Sequence, residues 1–278
     1  MSFSPEWLAL REPADHAARS QELLAKLAAH FAGRTAISVV DFGCGAGSNL
    51  RGTWAALPDS QNWRLVDYDP NLLAAARDRL AAWADSSRAD GEALHLSKRG
   101  KSLVVSFVQA DLTRDLDKVL PASTDLVTAA ALFDLVSESW IATFAAALKQ
   151  RRLPFYTVLT YDGTEHWEPP HPADAAMLAA FHAHQATDKG FGPAAGPRAT
   201  GVMADAFAAA GYRVERAASP WRLGSDFAEL ARELVAGFAG AVRETGTVPS
   251  IDIDAWLAAR RTGVTCHVGH EDLLAVPV

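Results

Sequence analysis

Short apolar runs alternate along this chain with segments whose apolar positions recur every three or four residues. The runs that predict strands lie at 36–42, at 64–66, and at 102–109, 125–130, 154–161, 212–217 and 264–268. Each is short and flanked by turn residues, as buried strands are. Because helical patterns separate most of these runs, the sequence predicts an α/β fold with a parallel sheet.

The helical patterns differ in how clearly their ends are marked. Residues 13–31 predict one amphipathic helix that ends near Gly33, because four apolar side chains share a stripe: Leu23, Leu24, Leu27 and Phe31. Asp69 and Pro70 mark another start, since Asp caps a helix and Pro suits its first position. Further helices are predicted at 173–187, 226–245 and 252–261, and the charged stretch 84–101 is predicted to be a surface excursion.

Composition narrows the class of protein. Of 278 residues, 49% are apolar and 21% charged, so the chain can bury a substantial core. A net charge of −7 argues against a nucleic-acid partner, which needs a basic face. The sequence shows neither a run of membrane-spanning length nor an export signal, so we expect no membrane partner and a cytoplasmic protein. Two cysteines argue against a disulfide scaffold, and the histidine spacings predict no metal site.

The segment with most chemical information is DFGCGAG, residues 41–47. A predicted buried strand ends in Asp41 and enters a turn containing Gly43, Gly45 and Gly47. Glycine permits a tight turn and lets a ligand touch the backbone. Asp67 ends the next strand about twenty residues later, where an acid can accept hydrogen bonds from ribose hydroxyls.

The loop spacing bears on which nucleotide would bind. A dinucleotide fingerprint reads GxGxxG, but Ser48 stands where its third glycine would be, and the loop reads GxGxG. Asp111 follows the third strand and could accept from an exocyclic adenine amine. No P-loop lysine follows the glycines. An NAD-dependent oxidoreductase stays open as an alternative, as does a plain strand-to-helix turn.

Four segments together resemble the class I S-adenosylmethionine-dependent methyltransferases. They are VVDFGCGAG, LVDYDPNLLAAAR, FVQADL and DLVTAAALFDLV, in that order within residues 36–136. The resemblance implies a Rossmann-like, seven-stranded sheet of order 3-2-1-4-5-7-6, with helices on both faces and helical cap insertions. It implies one methyltransferase domain over 1–278, with a helical cover at 1–35, a cofactor-binding core at 36–161 and caps at 162–200 and 219–262.

The resemblance also implies that S-adenosyl-L-methionine is the cofactor. Its methionine part would meet the glycine loop, with Asp41 on the amino group and Arg11 or Arg19 on the carboxylate. Its ribose would meet Asp67, and the backbone at 129–130 would approach the sulfonium. Adenine would meet Tyr68, Asp111 and Leu112. The full set of cofactor-binding residues so implied is Arg11, Arg19, Asp41, Gly43, Cys44, Gly45, Gly47, Asp67, Tyr68, Asp69, Asp111, Leu112, Ala129 and Ala130.

Methyl transfer is an in-line displacement, so such an enzyme mainly positions the nucleophile and excludes water. The sequence assigns no catalytic residue, but six polar side chains are candidates: Asp134, Tyr161, Asp162, His184, Gln185 and Lys189. Segments 162–197 and 226–261 are expected to roof the acceptor pocket, or alternatively to form a dimer interface. Monomer and homodimer both stay open.

The acceptor class is narrowed by missing motifs. Neither Asn/Asp-Pro-Pro-Tyr nor Pro-Cys follows the fourth strand, which disfavours the amine methylation of DNA or protein glutamine and cytosine C5 chemistry. With the acidic balance, this favours a small-molecule acceptor. A protein that binds S-adenosylmethionine without catalysis is a further alternative.

Overall fold

A computed structural model describes residues 3–261 and 263–278. The helices in that part of the chain are α1 Pro5–Ala18, α2 Gln21–His30, α3 Ser48–Thr53, α4 Pro70–Trp83, α5 Leu112–Val119, α6 Glu138–Arg151, α7 Asp174–Gln185, α8 Ala199–Ala209, α9 Ala228–Thr245 and α10 Ser250–Ala258. Its strands are β1 Ala36–Phe42, β2 Ser60–Asp67, β3 Ser86–Asp90, β4 Ala93–Lys98, β5 Lys101–Gln109, β6 Leu126–Ala130, β7 Phe155–Glu168, β8 Tyr212–Ala218, β9 Trp221–Leu223 and β10 Thr265–Pro277.

The strands form one mixed sheet of order β3-β4-β5-β2-β1-β6-β7-β10-β8, with β9 paired to β10. Pairs from β5 to β7 are parallel, whereas β10 runs antiparallel to both β7 and β8. The α/β, Rossmann-like class is confirmed. The predicted count of seven strands is wrong, because the described residues form a sheet of ten. The additions are β9 and the hairpin β3–β4, which extends the sheet beyond β5.

Two element predictions are wrong for local reasons. Residues 13–31 hold parts of two helices rather than one, because Arg19 and Ser20 are non-helical and the Ser20 hydroxyl caps α2 by accepting from the N–H of Leu23 at 3.2 Å. The stretch 84–101 forms the β3–β4 hairpin and the start of β5. All five residues of β3 are exposed, so no buried stripe marks it as a strand.

The strands β7 and β10 are longer than predicted. They were expected at 154–161 and 264–268, but they reach Glu168 and Pro277. Their outer halves pair with each other from Thr265↔Glu168 onward. β9 pairs with the same outer half of β10, from Cys266↔Leu223 to Val268↔Trp221. This extension continues past the ends of β1 and β6 and supports the helices α7, α9 and α10.

Apolar packing covers both faces of the sheet. One core contains residues of α2 and α4, together with α9 and α10. The other, opposite, core contains α5, α6 and α8, with stacked aromatic rings such as Phe155 and Phe207 at 5.4 Å between centroids. Within the cap, Phe238 of α9 stacks on Phe181 of α7 at 4.4 Å and on Trp256 of α10 at 5.5 Å. These rings join the three helices into one layer.

Candidate functional site

The glycine loop follows β1, the strand from which the parallel strands are added toward β2 on one side and toward β6 on the other. β1 is flanked by β2 and β6, so its carboxyl end opens into the crevice where α/β folds bind ligands. Gly43 and Gly45 have φ of 59° and 51°, in the left-handed region that favours glycine. A Cβ at Gly45 would lie 3.0 Å from Leu8 and one at Gly43 would lie 3.1 Å from Leu132. The loop therefore presents its backbone to the crevice without side chains at these two positions.

A cavity of about 820 Å³ opens over this loop. Its floor comes from the ends of the central strands and the loops that follow them, and its cover comes from α1 and the loop after α7. Twelve of the predicted site residues line it: Arg11, Arg19, Gly43, Cys44, Gly45, Asp67, Tyr68, Asp69, Asp111, Leu112, Ala130 and Lys189.

Asp67 connects the loop to the end of β2. Its Oδ2 accepts from the N–H of Gly45 at 2.9 Å, and its Oδ1 accepts from the N–H of Asp69 at 3.0 Å. Burial raises the pKa of Asp67, although these two hydrogen bonds favour its ionised form. Asp69 also caps α4 by accepting from the N–H of Asn71 at 2.8 Å.

A buried network of side-chain hydrogen bonds lies behind the glycine loop. Arg19 donates to Asn49 Oδ1 at 2.9 Å, and Asn49 donates to Asp41 Oδ1 at 2.6 Å. Thr128 donates to the same Asp41 oxygen at 2.8 Å. Asp41 is fully buried, and burial raises its pKa to about 6. Within this hydrogen-bond network, two buried side-chain atoms have no hydrogen-bond partner: Arg19 Nε and Asp41 Oδ2. Asp41 itself does not line the cavity.

Arg11 and Asp15 add an ion pair from α1. The Arg11 guanidinium makes two hydrogen bonds to the Asp15 carboxylate, at 2.9 and 3.1 Å. Trp221 donates to Asp15 Oδ1 at 3.0 Å, and its ring lies 4.8 Å below the Arg11 guanidinium carbon. Both members of the pair line the cavity, and β9 thereby fixes α1 over the crevice.

The opposite end of the cavity is formed by residues after β2 and β5. Asp111 caps α5, since its Oδ1 accepts from the N–H and the hydroxyl of Thr113 at 3.0 and 2.6 Å. The Thr113 hydroxyl lowers the pKa of Asp111. Tyr68 is 73% exposed, so one face of its ring is free to cover a planar ligand. The interaction of these residues with adenine stays a prediction.

Eight predicted site residues do not line this cavity: Asp41, Gly47, Ala129, Asp134, Tyr161, Asp162, His184 and Gln185. Gly47 precedes α3, and Ala129 is part of the apolar core. His184 points to the surface of the cap, where its Nε2 lies 2.9 Å from Glu244. Asp162 accepts from the N–H of Thr164 at 2.8 Å within a turn of β7.

Asp134 and Gln185 form a buried pair behind the cavity wall. Gln185 donates to Asp134 Oδ2 at 3.2 Å, while Gln185 Oε1 has no partner. Burial raises the pKa of Asp134 to about 6, and the Arg11 guanidinium opposes that shift. Asp134 lies between Leu132 and Leu135, which both line the cavity. Burial raises the pKa of the Tyr161 hydroxyl, and the charges of Glu165, Asp162 and Asp134 add to that shift.

The expected roof is only partly found. Lys189, Gly190 and Phe191 cover the cavity, and the Phe191 ring meets Trp140 edge-on at 5.2 Å. No described residue of α9 or α10 lines it. Those helices pack on α7 and on the β7–β10 extension, because their aromatic stripe faces Trp167.

Sequence reasoning missed two residues of this site, Asn49 and Asp15. Asn49 carried a usable signal, since it stands on the first turn after the glycine loop. Asp15 carried none, because its contact with Trp221 joins positions 206 residues apart. The sequence suggested Trp221 as an apolar wall of the acceptor pocket, but it does not line the cavity and instead holds Asp15.

Two searches covered only the described residues. They found no group of three or more His, Cys, Asp or Glu side chains that could hold a metal ion. Within the same ranges, no helix combines the length and apolar character needed to cross a membrane.

Neither family models nor curated protein sequences match this chain. Solved structures match its fold. The cyclopropane-fatty-acyl-phospholipid synthase-like protein from Lactobacillus casei is 13% identical at TM-score 0.57, with 97% of this chain and 92% of that chain covered. The YcgJ protein from Bacillus subtilis is 14% identical at TM-score 0.51, covering 93% and 100%. The cyclopropane synthase MmaA2 from Mycobacterium tuberculosis is 13% identical at TM-score 0.50, covering 98% and 94%. These likenesses show a shared fold, the Rossmann-like α/β architecture that the sequence motifs predicted.

Proposed function

We propose that this protein transfers a methyl group from S-adenosylmethionine to a small-molecule acceptor. The observation that carries the proposal is the cavity in which the bare glycine loop, Asp67 and Asp111 meet at the carboxyl ends of β1, β2 and β5. A volume of about 820 Å³ is within the range of sites for ligands of this size. The fold of the structural neighbours supports the same function.

The unpartnered buried atoms suit the amino-acid part of this cofactor. In the hydrogen-bond network of Arg19, Asn49 and Asp41, Arg19 Nε is a donor without a partner and Asp41 Oδ2 is an acceptor without a partner. A carboxylate binds to such a donor, and an ammonium group binds to such an acceptor. Buried polar atoms without partners are rare in folded proteins. Arg19 lines the cavity and Asp41 lies behind its wall, so the cofactor's carboxylate would contact Arg19, and the charge of Asp41 would attract the ammonium group from behind the glycine loop. Cys44, buried in the loop with a thiol pKa raised by burial, contributes shape rather than reactivity.

In this account Asp67 would hold the ribose hydroxyls, and Tyr68 and Asp111 would flank the adenine. The bound cofactor supplies an electrophilic methyl group on a sulfonium. The residues of the cavity would position the nucleophile and exclude water, because the displacement requires a nucleophile in line with the methyl group and no competing water. Leu132, Leu135 and Phe191 would provide the apolar walls for that end.

We assign to Asp134 the role of the general base that accepts the acceptor's proton. An amine or hydroxyl nucleophile must lose a proton when it is methylated, and a base with a pKa near the working pH serves best. Asp134 has a pKa of about 6, lies beside the cavity wall and is oriented by Gln185. For this role Asp134 would have to reach the acceptor past Leu132 and Leu135, which separate it from the cavity.

The oxidoreductase alternative receives no support from the neighbouring folds. In addition, α3 after the loop has only six residues, which offers a pyrophosphate a weak helix terminus. A protein that binds the cofactor without catalysis differs only in turnover.

The proposal is tested by incubating the protein with methyl-labelled S-adenosylmethionine and a fractionated extract of small metabolites. Label should move to a compound of low molecular mass. Asp134→Asn should lower that transfer at least tenfold, while Asp205→Asn, an exposed acid on α8, should leave it within twofold. Equal turnover in wild type and Asp134→Asn would remove Asp134 from the mechanism. Failure of every fraction to accept label would contradict the transferase assignment.

A further inference from the structure

A second cavity, of about 280 Å³, lies within the cap and away from the glycine loop. It is enclosed by the outer half of β7 and by α7, α9 and α10. Three aromatic side chains form much of its wall: Trp167, Phe238 and Trp256. All three are at least nine-tenths buried. The cavity reaches the surface beside Glu168, which is exposed.

The residues that line this cavity carry only negative charges. Glu165, Glu168 and Asp174 line it, and its lining contains no Lys or Arg. The nearest positive charge is the buried Arg260 guanidinium, whose carbon lies 4.2 Å from the Trp256 ring and 5.6 Å from the Trp167 ring. Asp174 is already neutralised, because Arg260 pairs with it and Trp256 donates to it at 2.7 Å. Glu165 is different: its Oε2 is buried and has no hydrogen-bond partner. The Tyr161 hydroxyl reaches only the other oxygen, Oε1, at 3.4 Å.

We propose that this cap cavity binds an organic ammonium cation, with Glu165 as its counter-ion and the aromatic rings as its walls. Aromatic surfaces attract such cations, and a buried carboxylate needs an opposite charge or a proton. The described residues contain no cluster of metal-ligating side chains, so an inorganic ion has no ligand set here. The proposal concerns a site distinct from the glycine-loop cavity and stands independently of the methyltransferase assignment.

The ionisation of Glu165 gives this site a measurable signature. Burial raises the pKa of Glu165 to about 8, while the neighbouring Trp167 and Tyr161 side chains oppose the shift. Burial thus favours the protonated form of Glu165, and a bound cation would favour the ionised form and release that proton. The other titratable or charged groups nearby are Tyr161 and His182, which are hydrogen-bonded at 3.0 Å, the paired Asp174 and Arg260, His166 and Cys266.

The direct test is calorimetric titration of the full chain with tetramethylammonium chloride at constant ionic strength. Wild type should bind it at least tenfold more tightly than tert-butanol, a neutral molecule of similar size. Glu165→Gln should weaken binding at least tenfold, because it removes the charge and keeps the shape. Glu233→Gln makes the same change on the exposed side of α9 and should leave the affinity within twofold.

A second readout separates the proposal from a loss of structure. At pH 7 the heat of binding in buffers of different ionisation enthalpy should show release of about one proton per cation in wild type and none in Glu165→Gln. Circular dichroism should show the variant folded. The proposal is overturned if tetramethylammonium does not bind, if tert-butanol binds equally well, or if Glu165→Gln binds the cation as wild type does.

Discussion

At the residue scale, two buried carboxyl groups carry most of the proposed chemistry. Burial raises the pKa of both Asp41 and Asp134 to about 6. Their surroundings differ: Asp41 accepts side-chain hydrogen bonds from Asn49 and Thr128 in a network that ends at Arg19, whereas Gln185 is the side chain that donates to Asp134. Asp41 is therefore suited to act as the counter-ion of a charged ligand group, and Asp134 is suited to bind and release a proton.

Asp134→Asn should stabilise the free protein at pH 8. The folded pKa of Asp134 is above the unfolded value of 3.8, so its contribution to folding becomes less favourable as pH rises from about 4 to about 6. Asparagine removes that cost, and Gln185 can turn its amide to accept from the new group. The expected gain in the free energy of unfolding is about 3 kcal/mol at pH 8 and roughly half of that at pH 5.

Denaturant unfolding at the two pH values measures this difference. Asp205→Asn, on the exposed face of α8, should change the stability by less than about 0.5 kcal/mol at both. A variant that is less stable than wild type at pH 8 would show that the Asp134 carboxylate is better satisfied than its burial indicates.

At the element scale, the last strand fixes the N-terminal helices. Asp272 of β10 is fully buried and accepts from the N–H of Ser20, at the start of α2, at 2.8 Å. It also accepts from the N–H of Leu159 in β7 at 2.9 Å, where φ is 60°. One carboxylate thus joins α2, β7 and β10 and sets the position at which α1 leaves to cover the cavity.

Asp272→Ala should lower the free energy of unfolding by about 2–5 kcal/mol, because it leaves two buried N–H groups without an acceptor. The neighbouring variant Glu271→Ala removes only a surface ion pair with Arg216 and should cost less than about 1 kcal/mol. Thermal and denaturant unfolding of both variants compare the two. Similar losses would show that Asp272 does not hold the N-terminal helices in place.

Elements with a local signal were predictable. The strand 36–42 matches β1, and the start of α4 was marked by Asp69 and Pro70. The break between α1 and α2 was not predictable, because the apolar spacing continues across it and the cause is the burial of Arg19 against Asn49 and Thr53. The hairpin β3–β4 was missed because its strand β3 has no buried side and pairs only at a sheet edge.

At the scale of the whole molecule, the sheet brings together loops that are distant in sequence. The crevice beside β1 collects residues from the ends of β1, β2, β5 and β6, which the ordered motifs allowed the sequence to anticipate. The cover could not be assigned in the same way. Among the described residues of the expected cap, Lys189, Gly190 and Phe191 alone line the cavity, since α9 and α10 instead enclose the second cavity with α7.

The central claim is that the cavity over the glycine loop binds the methyl donor. Calorimetric titration with S-adenosylhomocysteine, with NAD as the comparison ligand, measures it most directly. The account predicts that S-adenosylhomocysteine binds and NAD does not. It also predicts that Asp67→Ala lowers the affinity by about 2–4 kcal/mol through lost charge-assisted hydrogen bonds. The control Asp78→Ala, on the exposed side of α4, should leave the affinity unchanged. Binding of NAD without binding of S-adenosylhomocysteine, or full affinity in Asp67→Ala, would contradict it.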